Sequence, residues 1–241
     1  MSGRVDLHCH FLPAVDDGAP DLGECLSMLR ALSGAGFEHV VATPHMRPGM
    51  FDNDRAGLTA AWELLGPVLA AESGLPATAL SSEHYFDDVV LGRLLAGEGL
   101  PYPGGRAVLV ELYETELFPW VQARLFDLAR QGLTPVIAHP ERYRTLWRDP
   151  SPLERLVDGG CGALLDVAAL VGKYGREPQR CAEHLLGEGL YHAACTDAHR
   201  ARDVDAAVRG IDRLRALHGA EEVEFLFETG PRELLAGRVP E

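Results

Sequence analysis

Two spacings of apolar residues alternate along this chain. Short apolar runs of roughly five residues give way to longer stretches in which apolar side chains return every three or four positions. The first run, Arg4 to His8, predicts a strand. Asp21 then reads as a helix N-cap with Glu24 placed to reach back to it, and Leu26, Leu29 and Leu32 share one face before Gly34 and Gly36 end the helix. His39 to Thr43 is a second strand, ending in Pro44-His45. Asp52 or Asn53 caps a second helix with Leu58, Ala61, Trp62 and Leu65 facing inward, and Pro67 is expected to break or kink it. A third strand, Ala77 to Ser81, leads to Glu83. A helix over Val89 to Ala96 precedes a fourth strand, Arg106 to Val110, ending in Glu111. Pro119 starts a helix through Val121, Leu125 and Leu128. The fifth strand, Thr134 to Ala138, ends in His139-Pro140-Glu141-Arg142-Tyr143. Ser151-Pro152 opens a helix that stops at Gly159-Gly160, and a sixth strand, Gly162 to Leu165, ends in Asp166. A helix near Gln179 to Leu186 leads to the seventh strand, Leu190 to Cys195, ending in Thr196-Asp197-Ala198-His199. Val204 to Leu217 and Pro231 to Ala236 are helical.

Strands alternating with helices predict an α/β fold with a parallel sheet. About seven such units without a dinucleotide-binding glycine fingerprint favour a barrel over an open sheet. The 241 residues contain no sequence repeat and no low-complexity linker, so one domain over residues 1–241 is expected.

The polar residues gain meaning from this frame. His8, His10, His45, Glu83, Glu111, His139, Asp197 and His199 all lie at or just beyond the C-terminal ends of predicted strands, and Asp17 lies in the first loop. In a parallel barrel those ends form one face. His8 and His10, two apart on a strand, point the same way. A lone His-x-His is a weak signal, and each of these residues has an ordinary structural use. Their recurrence after six strand ends is what points to a metal site. Five imidazoles and four carboxylates exceed the needs of one tetrahedral zinc and suit two or three divalent metals. His39, His84, His184, His192 and His218 read as ordinary surface or core residues. Asp6 is expected to orient a ligand or serve structure only, and Asp166 to face the site or serve structure only. Arg142, one turn beyond His139, and Arg47, two residues beyond His45, add guanidinium groups suited to phosphate oxygens. Metals with arginine suggest a phosphoester substrate.

Net charge of −14 argues against nucleic acid as a partner. Five scattered cysteines, with no Cys-x-x-Cys pair, fit reduced thiols in the cytoplasm. The N-terminal residues lack a signal-peptide apolar region, and no apolar run is long enough for membrane insertion. A thiolate phosphatase needs an arginine six residues after its cysteine; those positions hold Val15, Ala31, Val167, Gly187 and Ala201. There is no Gly-x-Ser-x-Gly elbow and no phosphate-binding Gly-Lys-Ser/Thr loop.

Asp6-Leu7-His8-Cys9-His10, Val15-Asp16-Asp17-Gly18, Ala42-Thr43-Pro44-His45, Glu83, Glu111, Val136 through Tyr143 and Thr196-Asp197-Ala198-His199 together resemble the PHP (polymerase and histidinol phosphatase) superfamily. Within it, the His-x-His–Val-Asp-Asp-Gly and His-Pro-Glu-Arg-Tyr segments resemble the bacterial metal-dependent protein-tyrosine phosphatases of capsule and exopolysaccharide control. The resemblance runs from residue 5 to about 235. It implies a distorted (β/α)7 TIM-like barrel with three metals, usually manganese or iron, with zinc as a further possibility. His8, His10, Glu83 and Asp197 would hold one. Glu83, Glu111 and His139 would hold a second, and Asp17, His45 and His199 a third. Arg142 would hold the phosphate, with Arg47 a second candidate, and Arg142, Asp197 and His199 are the catalytic candidates. The implied substrate is a phosphotyrosyl protein, with an autophosphorylating tyrosine kinase as the usual partner. Asp166 departs from the neutral residue expected at its position, and neither Arg200 nor Arg202 aligns with a second phosphate-binding arginine. The competing expectations are a small-metabolite phosphatase, such as one acting on histidinol phosphate, and a non-catalytic metal-stabilised binding module. The latter predicts missing ligands, and none is missing.

Overall fold

A computed structural model describes residues 3–113 and 120–240. Among the described residues nine strands trace seven staves of a parallel barrel, because the second and third staves each resume, past a break beyond the predicted strand, as a second short strand. β1 (Arg4–Cys9), β2 (Phe37–Ala42) and β4 (Ala77–Leu80) form one sheet in the order β1-β2-β4. β3 (His45–Met46), β5 (Glu83–Tyr85), β6 (Ala107–Glu111), β7 (Thr134–Ala138), β8 (Gly162–Asp166) and β9 (Ala193–Cys195) form the other. Every strand pairing is parallel. β3 continues β2, and β5 continues β4. Pro44 has no N–H for the ladder, and the gap is bridged by Ser81 N–H donating to the Ala42 carbonyl (2.8 Å), Glu83 N–H to Pro44 (3.1 Å) and the Ser82 hydroxyl to Pro44 (2.7 Å). β9 closes the circuit against β1: Asp197 N–H donates to the His8 carbonyl (3.0 Å), and His10 N–H to Ala198 (2.9 Å). The expected (β/α)7 barrel is the fold observed.

Alternation along the staves divides the apolar residues into two layers. Val5, Leu7, Val41, Ala107, Leu109, Val136, Ala138, Leu164, Ala193 and Cys195 fill the barrel. Tyr102, whose hydroxyl donates to the Leu7 carbonyl (2.9 Å), joins this cluster with Leu234 of α8 (Gly230–Leu235). Val40, Val108, Ile137, Ala163 and Leu165 face outward against the helices.

The helices form largely where the periodicity places them, with instructive differences. α1 (Leu22–Gly34) is capped by Asp21, which accepts from Glu24 N–H (2.9 Å). Glu24 does not reach back; its carboxylate accepts from Ala201 N–H (2.8 Å), across the barrel seam. The buried face is Cys25, Met28, Leu29 and Leu32, so Leu26 lies at its margin. α2 (Arg55–Ala71) is capped by Asp54 rather than Asp52 or Asn53. Those two bind elsewhere, Asp52 to Gly49 N–H and Asn53 to the carbonyls of Val15 and His45. Pro67 does not end α2: it and Glu63, whose carbonyl loses its helical donor, are both exposed, so water replaces the bond. α3 (Asp88–Leu95), α4 (Trp120–Arg130), α5 (Ser151–Asp158) and α6 (Arg176–Gly187) follow, and α7 (Asp203–Glu224) is broken at Gly219. The Pro119 helix start lies outside the described residues. None of the described helices is long and apolar enough to cross a membrane.

Two of the histidines read as ordinary do lie in the core. His84 donates from Nδ1 to the Leu109 carbonyl (2.8 Å) and accepts at Nε2 from Leu100 N–H (3.1 Å). His192 Nδ1 accepts from Ala163 N–H (3.1 Å). Burial brings each pKa down from 6.5 to about 4. Between those values the unfolded chain binds a proton that the folded chain refuses. Each histidine therefore contributes full stability above pH 6.5 and loses it as pH falls toward 4. His192→Asn, which keeps an acceptor, should shrink the stability loss between pH 7 and pH 4.5 by roughly 2 kcal/mol, read from urea midpoints at the two pH values.

Candidate metal centre

The predicted site residues meet at one end of the barrel. β1 delivers His8 and His10 with their Nε2 atoms 3.2 Å apart. The register against β2 shifts between Asp6 and Cys9, so the two imidazoles share a side on an irregular strand end. Asp6 accepts from His8 N–H, Thr196 N–H and the Thr196 hydroxyl, tying β1 to β9. The Pro44 break sends His45 into the same space, and Glu83 follows the matching break in the next stave.

Glu83 is the hub. Its carboxylate lies 2.9 Å from His139 Nε2, 2.9 Å from His45 Nδ1 and 3.6 Å from the Nε2 atoms of both His8 and His10. Asp197 Oδ1 lies 2.8 Å from His8 Nε2 and 3.3 Å from His10 Nε2. Asp17 bridges His45 (3.5 Å) and His199 (3.4 Å) on the solvent side. Four groups of ligand atoms lie within 4.8 Å of one another: His10, Asp17, His45 and His199; His8, His10 and Asp197; His8, Glu83 and His139; His45, Glu83 and Glu111. All nine predicted metal-competent residues occur in these groups. None of the five histidines set aside does.

The electrostatics fit divalent cations. Burial works to raise the pKa of Glu83 and Asp197, but His8 and His45 around the first and Arg142 and His8 around the second hold both well below the ordinary carboxylate range. Burial and the Glu83 charge instead push Glu111 up to about 8. Two carboxylates crowd one corner, a conflict that a cation between them removes. Among the described residues, every buried side-chain nitrogen or oxygen without a hydrogen bond belongs to a residue of this site: His8, His45, Glu83, Glu111, His139, Arg142 and Asp197. Such orphaned atoms cost about 1–3 kcal/mol each unless another partner takes them. The donor set of imidazoles and carboxylates matches manganese, iron or zinc.

The backbone is also strained here. His139 (φ 33°) and Asp197 (φ 44°) are two of the three non-glycine residues in left-handed conformations among the described residues. Such positions cost on the order of 1–3 kcal/mol and persist where surrounding contacts fix them.

Arg142 stands in the 3₁₀ turn Pro140–Arg142. Its guanidinium donates to the carboxylates of Asp166 and Asp197 and to the Tyr174 hydroxyl (2.7 Å), and lies 3.9 Å over the Tyr174 ring. Asp166 thus acts through Arg142, and its other oxygen accepts from Ala168 N–H (2.9 Å). Arg47 lies 3.8 Å from Glu111 and 4.0 Å over the Tyr85 ring, lining the same cavity. Arg200 is occupied: it donates to the carbonyls of Asp17 (2.7 Å), Gly18 and His199 (2.7 Å), clamping the first loop to the last. Arg202 is exposed at the start of α7.

Sequence reasoning passed over Asp16. It accepts from His10 Nδ1–H (2.8 Å), Gly18 N–H (2.9 Å) and His45 N–H (3.0 Å). The first bond fixes the His10 tautomer and leaves Nε2 free to ligate. Gly18 is required because a Cβ there would strike the His10 carbonyl. Two adjacent aspartates before a glycine were the available signal, one for each role.

Comparison with known proteins agrees with the barrel and its end. The chain is 30% identical over 204 residues to the tyrosine-protein phosphatase YwqE of Bacillus subtilis, covering 82% of this chain and 78% of that protein. It is 24% identical to the tyrosine-protein phosphatase CpsB of Streptococcus pneumoniae, over 96% of this chain and 98% of that one. A crystal structure described among YwqE and CpsB, "unique metal-dependent tyrosine phosphatases", superposes with a TM-score of 0.87 at 29% identity, covering 97% of this chain and 95% of that chain. The phosphotriesterase homology protein of Escherichia coli shares the fold alone, with a TM-score of 0.58 at 12% identity over 97% of this chain and 99% of that one. Residues 4–236 match the family described as capsular polysaccharide synthesis, CpsB/CapC, and with that match running through every strand of the barrel the chain belongs to the CpsB/CapC family.

Proposed function

We propose that this protein is a metal-dependent protein-tyrosine phosphatase acting in capsule or exopolysaccharide regulation, without a cysteine nucleophile. The observation that carries the reading is the convergence, beside Arg142, of nine imidazole and carboxylate side chains in four groups whose ligand atoms lie within 4.8 Å of one another. We further propose the grouping that the family resemblance implies. His8, His10, Glu83 and Asp197 hold one ion, Glu83, Glu111 and His139 a second, and Asp17, His45 and His199 a third, with manganese as the ion. The whole chain acts as one domain in the cytoplasm. Its substrate is a phosphotyrosyl protein, with an autophosphorylating tyrosine kinase as partner.

Divalent ions bound in such a site supply positive charge for phosphoryl oxygens and lower the pKa of water toward neutrality. The chain's own residues do the rest. Arg142 presents a planar guanidinium to the equatorial oxygens; Asp166 anchors its Nη2, and the Tyr174 ring lies 3.9 Å from its carbon. Arg47 adds a second positive charge at the cavity wall. Water attacks phosphorus in line with the departing phenolate, and no phosphoenzyme forms. Tyrosine, with a pKa near 10, leaves with little protonation. His199, half-buried at the mouth and 3.4 Å from Asp17, would hold the ion nearest to solvent.

Elemental analysis of the purified protein together with a phosphoester panel tests the reading. The expected result is two or three divalent ions per chain, loss of activity with chelator, rescue by manganese, and preference for a phosphotyrosyl peptide. Preference for histidinol phosphate would replace the substrate, and indifference to chelator would remove metal catalysis.

The thiols give an independent check. All five are buried and free, and burial pushes Cys25, Cys161 and Cys181 up to about 12, with Cys9 and Cys195 also well raised. Iodoacetamide under native conditions should leave phosphatase activity within about twofold of the untreated protein. Complete loss through one modified thiol would revive a thiolate mechanism.

A further inference from the structure

The cavity over the metal centre holds about 180 Å³. Its lining is charged or imidazole on every side but one, where Met50 and Phe51 stand. Nothing in metal binding calls for an apolar pair there. The turn that carries them is rigid. Pro48-Gly49 occupies its centre, Gly49 has φ 82°, and Met50 N–H donates to the Arg47 carbonyl (3.1 Å), as a type II turn requires. Arg47 and Phe51 exchange both backbone hydrogen bonds (3.1 and 2.8 Å) across its base. Asp52 accepts from Gly49 N–H (2.7 Å), and Asn53 joins the segment to Val15 and His45. The Phe51 ring lies parallel to that of His45, with centroids 5.1 Å apart and planes 6° apart, and it is half-buried. Met50 is 60% exposed.

We propose that Phe51, with Met50 beside it, is the element that selects an aryl phosphate. It gives the phenyl group of the substrate an apolar surface within the one cavity that also holds the phosphate-binding charges. This rests on the phosphatase reading above and names what that site prefers. A phosphoryl group alone satisfies the cationic side of the cavity, and any phosphate monoester offers one. Only a substrate carrying a ring gains from the apolar side. The turn holds Phe51 in place before substrate arrives, so little ordering entropy offsets the contact.

The test separates ring binding from support of His45. Competitive inhibition of the metal-loaded enzyme is measured with phenylphosphonate and with inorganic phosphate. Phe51→Ala should weaken phenylphosphonate about tenfold, the scale of an aromatic contact with its buried area, and leave inorganic phosphate unchanged. Phe51→Leu should weaken it by roughly a third as much, and Met50→Ala, at an exposed position that folding tolerates, by about threefold. Equal weakening of both inhibitors would mean that Phe51 acts only through His45, and unchanged constants for both would mean no contact. Either result overturns the proposal. Wild-type protein that hydrolyses other phosphoesters but not phosphotyrosine would instead overturn the tyrosine-phosphatase reading, whatever the variants do.

Discussion

Glu83→Gln is expected to lower kcat/KM on a phosphotyrosyl peptide by roughly 10³-fold or more and to strip metal from the purified protein. Glu83 is buried, and its two oxygens approach four imidazoles from three different staves of the barrel. Glutamine keeps the volume and the hydrogen bond with His139 but loses the charge and one acceptor. A charge-stabilising group worth several kcal/mol corresponds to about three powers of ten in rate. Because shape is conserved, the circular dichroism spectrum should match wild type. Unchanged rates with full metal content would remove Glu83 from the site.

Arg142→Ala is expected to cost about 10²-fold in activity and, separately, about 3 kcal/mol in stability. The first loss is that of a charged donor aimed at the phosphoryl oxygens. The second arises because Asp166 and Asp197, both buried, lose the cation they share. Adding Asp166→Asn to Arg142→Ala should recover part of the stability and none of the activity. Arg142→Lys should recover little of either, since the shorter lysine places its ammonium short of the Nη2 position that meets Asp166, Asp197 and Tyr174, and it loses the flat stacking on the Tyr174 ring. Unfolding midpoints and steady-state rates on the four proteins check both halves. A double variant whose activity returned with its stability would reduce Arg142 to a structural role.

What could be read from the chain and what could not follows from distance in sequence. The staves and the polar residues at their ends were legible because alternation and position after an apolar run are local properties. His8 with His10, His139 after Ala138, and Asp197 after Thr196 are cases of this. The splitting of the second and third staves was not foreseen, although Pro44 signals it: its effect depends on which partner strand loses the donor. Glu24 looked like a capping residue because its spacing from Asp21 is local, whereas its partner Ala201 comes from the other end of the chain. Arg200 was ambiguous for the same reason, being spent on carbonyls of the first loop. Phe51 gave no signal at all. An isolated aromatic after a Pro-Gly turn means nothing until the ring beneath it is known to be His45.

The seam between β1 and β9 has a consequence for synthesis. His8, His10 and Asp17 leave the ribosome long before the Asp197 and His199 that complete their groups. A nascent chain halted before the ninth strand owns imidazoles and carboxylates but no cage to place them in. Assembly of the pocket is therefore a closing event with long loop closure rather than a gradual accretion.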